Sequence, residues 1–283
     1  MSRIDEILNI ANHLPPFPKV ALQVMKMIDD PEVKAKDLAE VIQYDSAITA
    51  NLLKTCNAAY FGLTRKVSSL EDALVVVGQD ILKDIIIACS SSRFYKGGAG
   101  DGYQLEQGEL WKHSVATAIM ARLLAKHFDN VAPDTAFTVG LLHDIGKRFL
   151  SSFVADDFAR IVELAYGASL SFVEAEKEVL GMTHAELGSM IMEKWEFDEA
   201  LAVAVKQHHD PDALNKGELT ALLAIANTQV ITMGVGVGAD GLTGKVHGGG
   251  LKRYGISSSD LEHYLAELFS EMERAEEMFS LAD

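Results

Sequence analysis

Cysteine, tryptophan and proline are scarce in this chain. There are only two cysteines, Cys56 and Cys89, and both lie inside apolar patterns of helical spacing. Two isolated thiols cannot form the disulfide framework of a secreted domain or a thiolate-rich zinc site. We therefore expect both cysteines to be reduced residues of a helical core.

Basic residues are also few, and long apolar runs are missing. Lys and Arg number 25 against 41 Asp and Glu, which gives a formal net charge of -16. Such a surface repels phosphate backbones, so we expect no nucleic-acid partner. No apolar run is long enough to span a bilayer, and the charged start, residues 1–6, has no signal-peptide core. We expect no membrane partner and a cytoplasmic location.

The patterning is helical almost throughout, with no convincing alternation of period two. The 283 residues, 48% of them hydrophobic, are enough for one large core or two domains. Gly97–Gly102 contains four glycines and is the clearest linker. The prediction is an all-α protein with two helical lobes, residues 1–96 and 103–283.

Several residues mark expected helix ends. The predicted caps and capping boxes are Asp37, Asp45 or Ser46, Ser68 with Glu71, Ser171 with Glu174, and Thr183 with Glu186. Gly78 is expected to interrupt a helix. We further expect one long helix over about 105–127, and another that runs from Pro133-Asp134 through His143-Asp144.

A glycine-rich stretch spans residues 234–250 and contains Gly236-x-Gly238-x-x-Gly241. A dinucleotide-binding fingerprint of this form needs a strand before it and a helix after it. Here a helical pattern precedes it and more glycine follows. We interpret the stretch as a mobile loop.

The chemistry is concentrated around Gly140–Lys147, where the His143-Asp144 pair has apolar residues on both sides. An imidazole nitrogen and a carboxylate oxygen are a mixed ligand set for a divalent transition metal. A buried carboxylate needs a cation, and either a metal or Lys147, three residues further along a helix, can supply it. A helix end at which His143 and Asp144 only form hydrogen bonds is the alternative.

Further candidate ligands occur on other predicted helices. Glu109 and His113 are four residues apart on one helix face, and His184 follows the proposed cap Thr183. The other members are His208, His209 and the buried amide Asn227. Each alone is more often structural. Together these nitrogen and oxygen ligands suit a two-metal site, whose natural chemistry is hydrolysis of phosphate esters. His13, His127, His247 and His263 are interpreted as structural.

The ordered motifs resemble those of the HD superfamily of metal-dependent phosphohydrolases. They are Glu109-x-x-x-His113, His143-Asp144-x-Gly146-Lys147, His184 and His208-His209, with spacing closest to the HD-GYP branch of cyclic di-nucleotide phosphodiesterases.

The N-terminal half resembles the related HDOD family of output domains. The matching stretches are Leu14-Pro15-x-Phe17-Pro18, Asp45-x-x-Ile48-x-x-x-Leu52-Leu53, Asn57-x-Ala59-Tyr60-Phe61, Val67-Ser68-Ser69-Leu70-x-x-Ala73 with Gly78, and Trp111-x-x-Ser114. This resemblance covers about residues 4–232.

The HD resemblance implies a function for most of these residues. The implied metal ligands are His113, His143, Asp144, His184, His208 and His209, with Glu109 as an added or bridging ligand. Lys147 would face a substrate phosphate, and His208 or His209 would help to protonate the leaving group, so Lys147, Asp144 and His208 are the expected catalytic residues. Two departures stand out: Asn227 occupies the position of a final Asp ligand, and no Gly-Tyr-Pro motif follows His209.

Three functions follow from this pattern. We expect an HDOD-type signalling protein that retains a metal centre of one or two divalent ions and has little turnover. An active metal-dependent phosphohydrolase acting on a nucleotide or cyclic nucleotide is the alternative, and a metal-free helical scaffold for partner proteins is the third. Nitrogen and carboxylate ligands fit iron, manganese, nickel or zinc. The expected partners are a phosphate-containing small molecule and a signalling protein.

Overall fold

The computed structural model describes residues 3–57, 66–95, 101–167, 170–239, 241 and 248–279. Regular structure in these ranges consists of fourteen α-helices and three short 3-10 helices, without a β-strand, which confirms the all-α prediction. The α-helices are α1 Arg3–His13, α2 Lys19–Ile28, α3 Ala35–Ile42, α4 Ser46–Cys56, α5 Leu70–Tyr95, α6 Glu109–Leu124, α7 Pro133–Leu142, α8 Ile145–Gly167, α9 Phe172–Leu180, α10 His184–Lys194, α11 Glu199–Gln207, α12 Glu218–Thr232, α13 Gly248–Arg253 and α14 Ser258–Phe279. Within the same ranges, none of the helices is both long and apolar enough to cross a bilayer.

The chain divides into two compact units. The larger unit comprises Met1–Pro15 and Phe94–Leu268, and the smaller unit comprises Pro16–Arg93 and Phe269–Asp283. Each unit is therefore assembled from two separate segments of sequence. The division into residues 1–96 and 103–283 stays a prediction.

Helix starts in the smaller unit follow local capping chemistry. The carboxylate of Asp45 accepts hydrogen bonds from the backbone N–H groups of Ala47 and Ile48, so the predicted cap of α4 is confirmed. The prediction for Asp37 was wrong by a few residues: α3 begins at Ala35, and Asp37 caps it from inside the first turn by accepting from the N–H of Lys34.

The start of α5 differs in the same small way. The hydroxyl of Ser69, and not that of Ser68, accepts the N–H of Asp72, because α5 begins one residue after Ser69. The predicted interruption at Gly78 is confirmed. Its φ of 73° and ψ of 172° are not helical, and a residue without Cβ adopts a positive φ at little cost.

Helix α6 is the buried centre of the larger unit, and it packs along α7 and α12. It is shorter than the helix predicted over about 105–127. Gly108, with φ 86°, has a left-handed backbone that cannot continue a helix backwards, so α6 starts at Glu109. At its other end, the chain passes into the 3-10 turn Ala125–His127.

The predicted continuous helix through His143-Asp144 is instead two helices. α7 ends at Leu142, α8 begins at Ile145, and His143 and Asp144 form the break between them. The backbone N–H of Lys147 bonds to the carbonyl of Asp144, so α8 is already turning at the break. The break lets two adjacent side chains point inward, which one continuous helix does not permit.

Two glycines beside this break allow backbones to touch. A Cβ on Gly140 would lie 2.6 Å from Cα of Ala118 in α6, and a Cβ on Gly146 would lie 1.9 Å from the carbonyl oxygen of His184 in α10. Both distances are far below van der Waals contact. The first turn of α8 is therefore pressed directly onto the first turn of α10.

Capping boxes set the starts of α9 and α10, as predicted. In the first, Ser171 and Glu174 each accept the other's backbone N–H, and Thr183 and Glu186 do the same in the second. The second box makes His184 the first residue of α10. Sequence-local chemistry thus determines where this imidazole enters the core.

The N-terminal segment of the larger unit is held by α10. The indole N–H of Trp195, which is fully buried, donates to the carbonyl of Pro15 at 3.0 Å. Lys194 donates to the carbonyls of Ala11 and Asn12. Two hydrogen-bonding side chains therefore keep α1 against the helical core.

The predicted mobile loop over residues 234–250 is only partly within the described residues, since 240 and 242–247 lie outside them. Its last residues are helical, because α13 begins at Gly248, which corrects the prediction there. At its start, Gly236 has a φ of 55° and approaches α6 so closely that a Cβ would lie 2.7 Å from Cβ of His113. This part of the segment is therefore packed against α6.

Both cysteines are buried free thiols, as predicted. Burial raises the pKa of the Cys56 thiol to about 11 and that of Cys89 to about 12. Neither is a thiolate at neutral pH, so neither is a nucleophile or a metal ligand.

Replacement of Gly146 by Ala is expected to destabilise the protein by at least about 2 kcal/mol, because a backbone carbonyl occupies the space of the new methyl group. Gly167→Ala, at the other end of α8, is the matched control, since a methyl group added there would meet nothing within 4 Å. Urea unfolding of both variants measures the difference. Equal stabilities would contradict the tight α8–α10 contact.

Candidate metal centre

The larger unit brings together six side chains from four places along the chain. Two groups of ligand atoms, each within 4.8 Å of one another, share Asp144: one contains Asp144, His184, His208 and His209, and the other contains His113, His143 and Asp144. The side chains come from α6, the α7–α8 break, α10 and the end of α11. The predicted histidines therefore converge on one carboxylate.

The two oxygens of Asp144 face different groups. Oδ2 lies 3.2 Å from Nε2 of His143 and 3.6 Å from Nε2 of His113. Oδ1 lies 3.5 Å from Nε2 of His184 and 3.8 Å from Nε2 of His208. Ligand atoms bound 2.0–2.1 Å from a tetrahedral metal ion lie about 3.4 Å apart. The spacing within each group thus matches the edge of a metal coordination shell.

Hydrogen bonds at the opposite ring nitrogens determine the tautomers. Nδ1 of His143 lies 2.7 Å from the carbonyl oxygen of Gly140, and Nδ1 of His208 lies 2.6 Å from that of Val205. Nδ1 of His113 lies 2.9 Å from the carbonyl oxygen of Val235. A carbonyl can only accept, so each Nδ1 carries the hydrogen, and in the neutral ring Nε2 keeps its lone pair.

Two of these carbonyls belong to helix C-termini. Gly140 is in the last turn of α7 and Val205 in the last turn of α11, where carbonyls have no partner further along the helix. The residue after each helix, His143 or His208, donates its Nδ1–H to this carbonyl. Its Nε2 therefore points inward. Both helices also direct the negative ends of their dipoles towards the group, which favours a cation there.

Glu176 fixes the ring of His184 in the same way, through a hydrogen bond to Nδ1. It is not among the site residues predicted from the sequence. Its Oε2 accepts the Nδ1–H of His184 at 2.9 Å and the backbone N–H of the same residue at 2.7 Å. Its Oε1 accepts from the hydroxyl of Tyr103 at 2.5 Å. The available signal was its spacing on α9, where it shares the buried face with Phe172 and Leu180, four residues before and after it.

The fit of a metal ion to this group rests on atoms that have no other partner. Nε2 of His143, Oδ1 of Asp144 and Nε2 of His208 are buried and accept no hydrogen bond within the described residues. A buried polar atom without a partner costs about 1–3 kcal/mol. All three are lone-pair donors of the kinds that transition metals bind, so the residues present fit a divalent cation.

Two further close approaches join atoms that both carry lone pairs. Nε2 of His184 lies 3.1 Å from Nε2 of His209, and Nε2 of His113 lies 3.0 Å from Oδ1 of Asn227. Without a cation, one member of each pair must supply a hydrogen, by a change of tautomer or by rotation of the Asn227 amide. With a cation, both members serve as ligands.

Lys147 lies within the group and bonds directly to Asp144. Its Nζ donates to Oδ2 at 2.6 Å, and both side chains are almost completely buried. Burial alone would raise the pKa of Asp144, but the adjacent His143 and Lys147 bring it well below the usual aspartate value. Asp144 is therefore a carboxylate at neutral pH.

The histidine protonation states differ from one ring to the next. Burial lowers the pKa of His113 to about 4 and brings that of His208 well below its ordinary value. Burial, together with His208, also lowers the pKa of His209. For His184 burial acts in the same direction, but the carboxylate of Glu176 outweighs it and raises the pKa.

Other predicted ligands and histidines are placed differently. Glu109 is half-buried in the first turn of α6, one turn before His113, and is in neither group of ligand atoms, so its ligand role stays a prediction. His127, interpreted as a solvated helix end, is partly buried and bonds to the hydroxyl of Tyr264 at 2.7 Å. His13 and His263 bond within their own helices, and His247 lies outside the described residues.

Comparison with known proteins identifies the family. The family model of the HDOD domain matches residues 14–211, which is more than half of the chain. The chain belongs to the HDOD family. One relative, an uncharacterized protein of Treponema pallidum (strain Nichols), is 26% identical over 234 residues, covering 81% of this chain. This HDOD chain spans 43% of that relative's length.

Solved structures share the HDOD fold. An HDOD domain protein with unknown function from Geobacter sulfurreducens is 27% identical, with a TM-score of 0.74 over 99% of this chain and 97% of that one. A candidate phosphohydrolase from Shewanella amazonensis SB2B is 23% identical, with a TM-score of 0.72 over 98% of both chains. At that identity, the second likeness shows the fold alone.

Replacement of Glu176 by Gln is expected to weaken metal binding by about ten- to a hundredfold, because the amide no longer fixes the tautomer and orientation of His184. Titration of the metal-free protein with Zn²⁺ by calorimetry measures the affinity. Glu178→Gln is the matched control, since this exposed residue lies two positions further along the same helix. Equal affinities for the two variants would show that Glu176 does not orient a ligand.

The metal-free protein is expected to lose at least about 2 kcal/mol of stability between pH 7 and pH 5. Unfolded histidines bind protons near pH 6.5, whereas the folded His113, His208 and His209 resist protonation, so unfolding takes up protons in this window. The raised pKa of His184 acts in the opposite direction, but it is one group against three.

Urea unfolding in the presence of a chelator at pH 7, 6 and 5 measures this slope. The variant His113→Gln should flatten it, and His263→Gln, on the exposed surface, should leave it unchanged. A stability that stays constant or rises towards pH 5 would be incompatible with neutral buried histidines.

Proposed function

We propose that this chain is an HDOD-type signalling module that binds a divalent transition metal in an occluded centre and hydrolyses phosphate esters slowly or not at all. The observation that carries this proposal is burial of the candidate ligands. His143, Asp144 and His184 have no exposed surface, and His113 and His208 expose 2% and 3%. Among the described residues, these ligands present almost no surface that a phosphate ester could reach unless the surrounding helices move.

The state of Lys147 supports the same conclusion. In a phosphohydrolase this ammonium would meet the phosphoryl oxygens of a substrate, and the sequence resemblance assigns it that role. Here its side chain is 3% exposed, and Nζ is engaged by Oδ2 of Asp144 at 2.6 Å. A buried ammonium that already neutralises a carboxylate serves to hold the centre together.

Asn227 is the second support. It occupies the position at which the HD pattern has an aspartate, and its amide oxygen carries no net charge. A neutral ligand stabilises a dication less than a carboxylate does, and less negative charge remains to balance a second ion. The substitution therefore weakens the two-ion arrangement on which phosphate-ester hydrolysis depends.

A bound divalent ion would supply Lewis acidity and local positive charge at the centre of the larger unit. His184, His208 and His209 would hold it with Asp144, and Glu176 would keep His184 in the required tautomer. The ion would join the α7–α8 break to the ends of α10 and α11. Its main effect would be to stabilise one arrangement of these helices.

An active phosphohydrolase is the second candidate, because the ligand set is complete apart from Asn227. In that case Lys147 would stabilise charge on a phosphoryl oxygen. His209 is half-buried, whereas Nδ1 of His208 bonds to Val205 inside the core, so His209 is the better placed of the two to protonate a leaving group. This function requires the centre to open.

The partners and location belong to the same proposal. A signalling module of this kind acts through a protein partner, with a phosphate-containing small molecule as the ligand to be tested. The acidic balance of charge favours neither nucleic acid nor an anionic membrane surface. We place the protein in the cytoplasm.

Metal analysis combined with a hydrolysis assay tests the proposed function. The purified chain and its His184→Ala variant are stripped, reloaded with Mn²⁺ or Zn²⁺ and analysed for bound metal. Both are then assayed with p-nitrophenyl phosphate and bis-p-nitrophenyl phosphate. We expect metal in the wild type, its loss in the variant, and equal, near-background hydrolysis rates for the two proteins.

Two results would contradict this expectation in different ways. Hydrolysis by the metal-loaded wild type more than about tenfold above that of His184→Ala would favour the phosphohydrolase. A wild type that cannot be loaded with either metal would favour a metal-free scaffold. Circular dichroism of the variant establishes that it remains folded.

A further inference from the structure

We infer that the centre holds a single divalent ion, bound on the Oδ1 side of Asp144 by His184, His208 and His209, and that the ammonium of Lys147 takes the place of a second ion on the Oδ2 side. This inference rests on the proposed metal centre and specifies its occupancy. It assigns Lys147 and Asn227 a joint role in excluding the second ion.

The two oxygens of Asp144 are in different chemical states. Oδ2 accepts a short hydrogen bond from Nζ of Lys147 at 2.6 Å, and it also faces Nε2 of His143. Oδ1 is buried and accepts no hydrogen bond within the described residues. The oxygen that still needs a cation is therefore Oδ1.

The ligands on the Oδ1 side form a complete set. Nε2 of His184 and Nε2 of His208 lie 3.5 and 3.8 Å from Oδ1, and Nε2 of His209 lies 3.1 Å from that of His184. Three imidazoles and one carboxylate oxygen fill a tetrahedral shell, or leave open positions in a larger one.

On the Oδ2 side the distances are similar, but the third ligand beside His113 and His143 is a neutral amide, that of Asn227. Nε2 of His113 meets Oδ1 of Asn227 at 3.0 Å, and rotation of that amide lets it donate to His113 and close the position without any ion. An aspartate at residue 227 could not donate in this way while ionised. Asn227 thus supplies no negative charge, and its amide can also bind the Nε2 lone pair of His113.

Charge balance points in the same direction. The only carboxylates that contact these rings within the described residues are Asp144 and Glu176, and Glu176 lies on the far side of His184. One dication and Lys147 already outweigh them. A second dication on Oδ2 would share that oxygen with an ammonium and would find no further negative charge.

Metal stoichiometry in four proteins tests this inference. Calorimetric titration of the stripped protein with Zn²⁺ and elemental analysis after gel filtration count the ions in the wild type, Asn227→Asp, Lys147→Met and the double variant. We expect one equivalent in the wild type. The double variant restores the carboxylate and removes the ammonium, so we expect two equivalents there.

Two mirrored substitutions locate the first ion. His209→Ala removes a ligand from the Oδ1 side and should weaken Zn²⁺ binding by about ten- to a hundredfold, whereas His113→Ala, on the Oδ2 side, should change it less than about threefold. His209 is half-buried, so its replacement leaves the core intact. Circular dichroism and urea unfolding check the fold of each variant.

The outcomes separate this inference from the proposed function. Two equivalents in the wild type, or binding that depends on His113 and not on His209, would overturn the single-ion assignment while the metal centre stands. One equivalent in the double variant would overturn the role of Lys147 and Asn227. No bound ion in any of the four proteins would overturn the proposed function itself.

Discussion

The structure of the larger unit depends on one buried negative charge. The carboxylate of Asp144 has no exposed surface and is ionised, and an isolated charge in such a position costs many kcal/mol. The side chains that surround this carboxylate offset that cost. Lys147 reaches it from one turn further along the chain, and four imidazole rings surround it. Its Oδ1 has no hydrogen-bond partner within the described residues, so the group is suited to bind a cation.

The rings are held by backbone groups that helices leave free. His143 and His208 each follow the last residue of a helix and bond to a carbonyl three residues back, at a helix end where such carbonyls need a partner. His184 opens a helix, and Glu176 supplies its acceptor because an N-terminus offers no free carbonyl. The metal centre is thus built from helix termini. Its geometry is coupled to the arrangement of α7, α10 and α11, which makes it suited to stabilise one conformation of the unit.

Membership of the HDOD family and retention of the HD ligands do not by themselves specify chemistry. A fold carries different functions according to the groups at its site. Here five of the six candidate ligands are buried, the ammonium of Lys147 is engaged with Asp144, and the amide of Asn227 contacts His113. Such a group is suited to bind metal for stability or signalling without the access for a substrate that hydrolysis requires. Access to the centre and the number of ions are the properties that separate the two functions.

The sequence by itself determined the helical class, the capping boxes before α9 and α10, the interruption at Gly78 and which histidines to consider as candidate ligands. These follow from residue spacing and from hydrogen bonds between residues close in sequence. The predicted helix ends were wrong at Asp37, at Ser68 and at the break formed by His143 and Asp144. Contacts with neighbouring helices compete there with local preferences. The pairing of Lys147 with Asp144, three residues apart, was one of two alternatives left open by the sequence, and the structure shows this contact. Only the tertiary structure revealed Glu176 and the contact of Asn227 with His113. Each depends on which side chains from distant helices meet in space, and a single sequence does not record those distances.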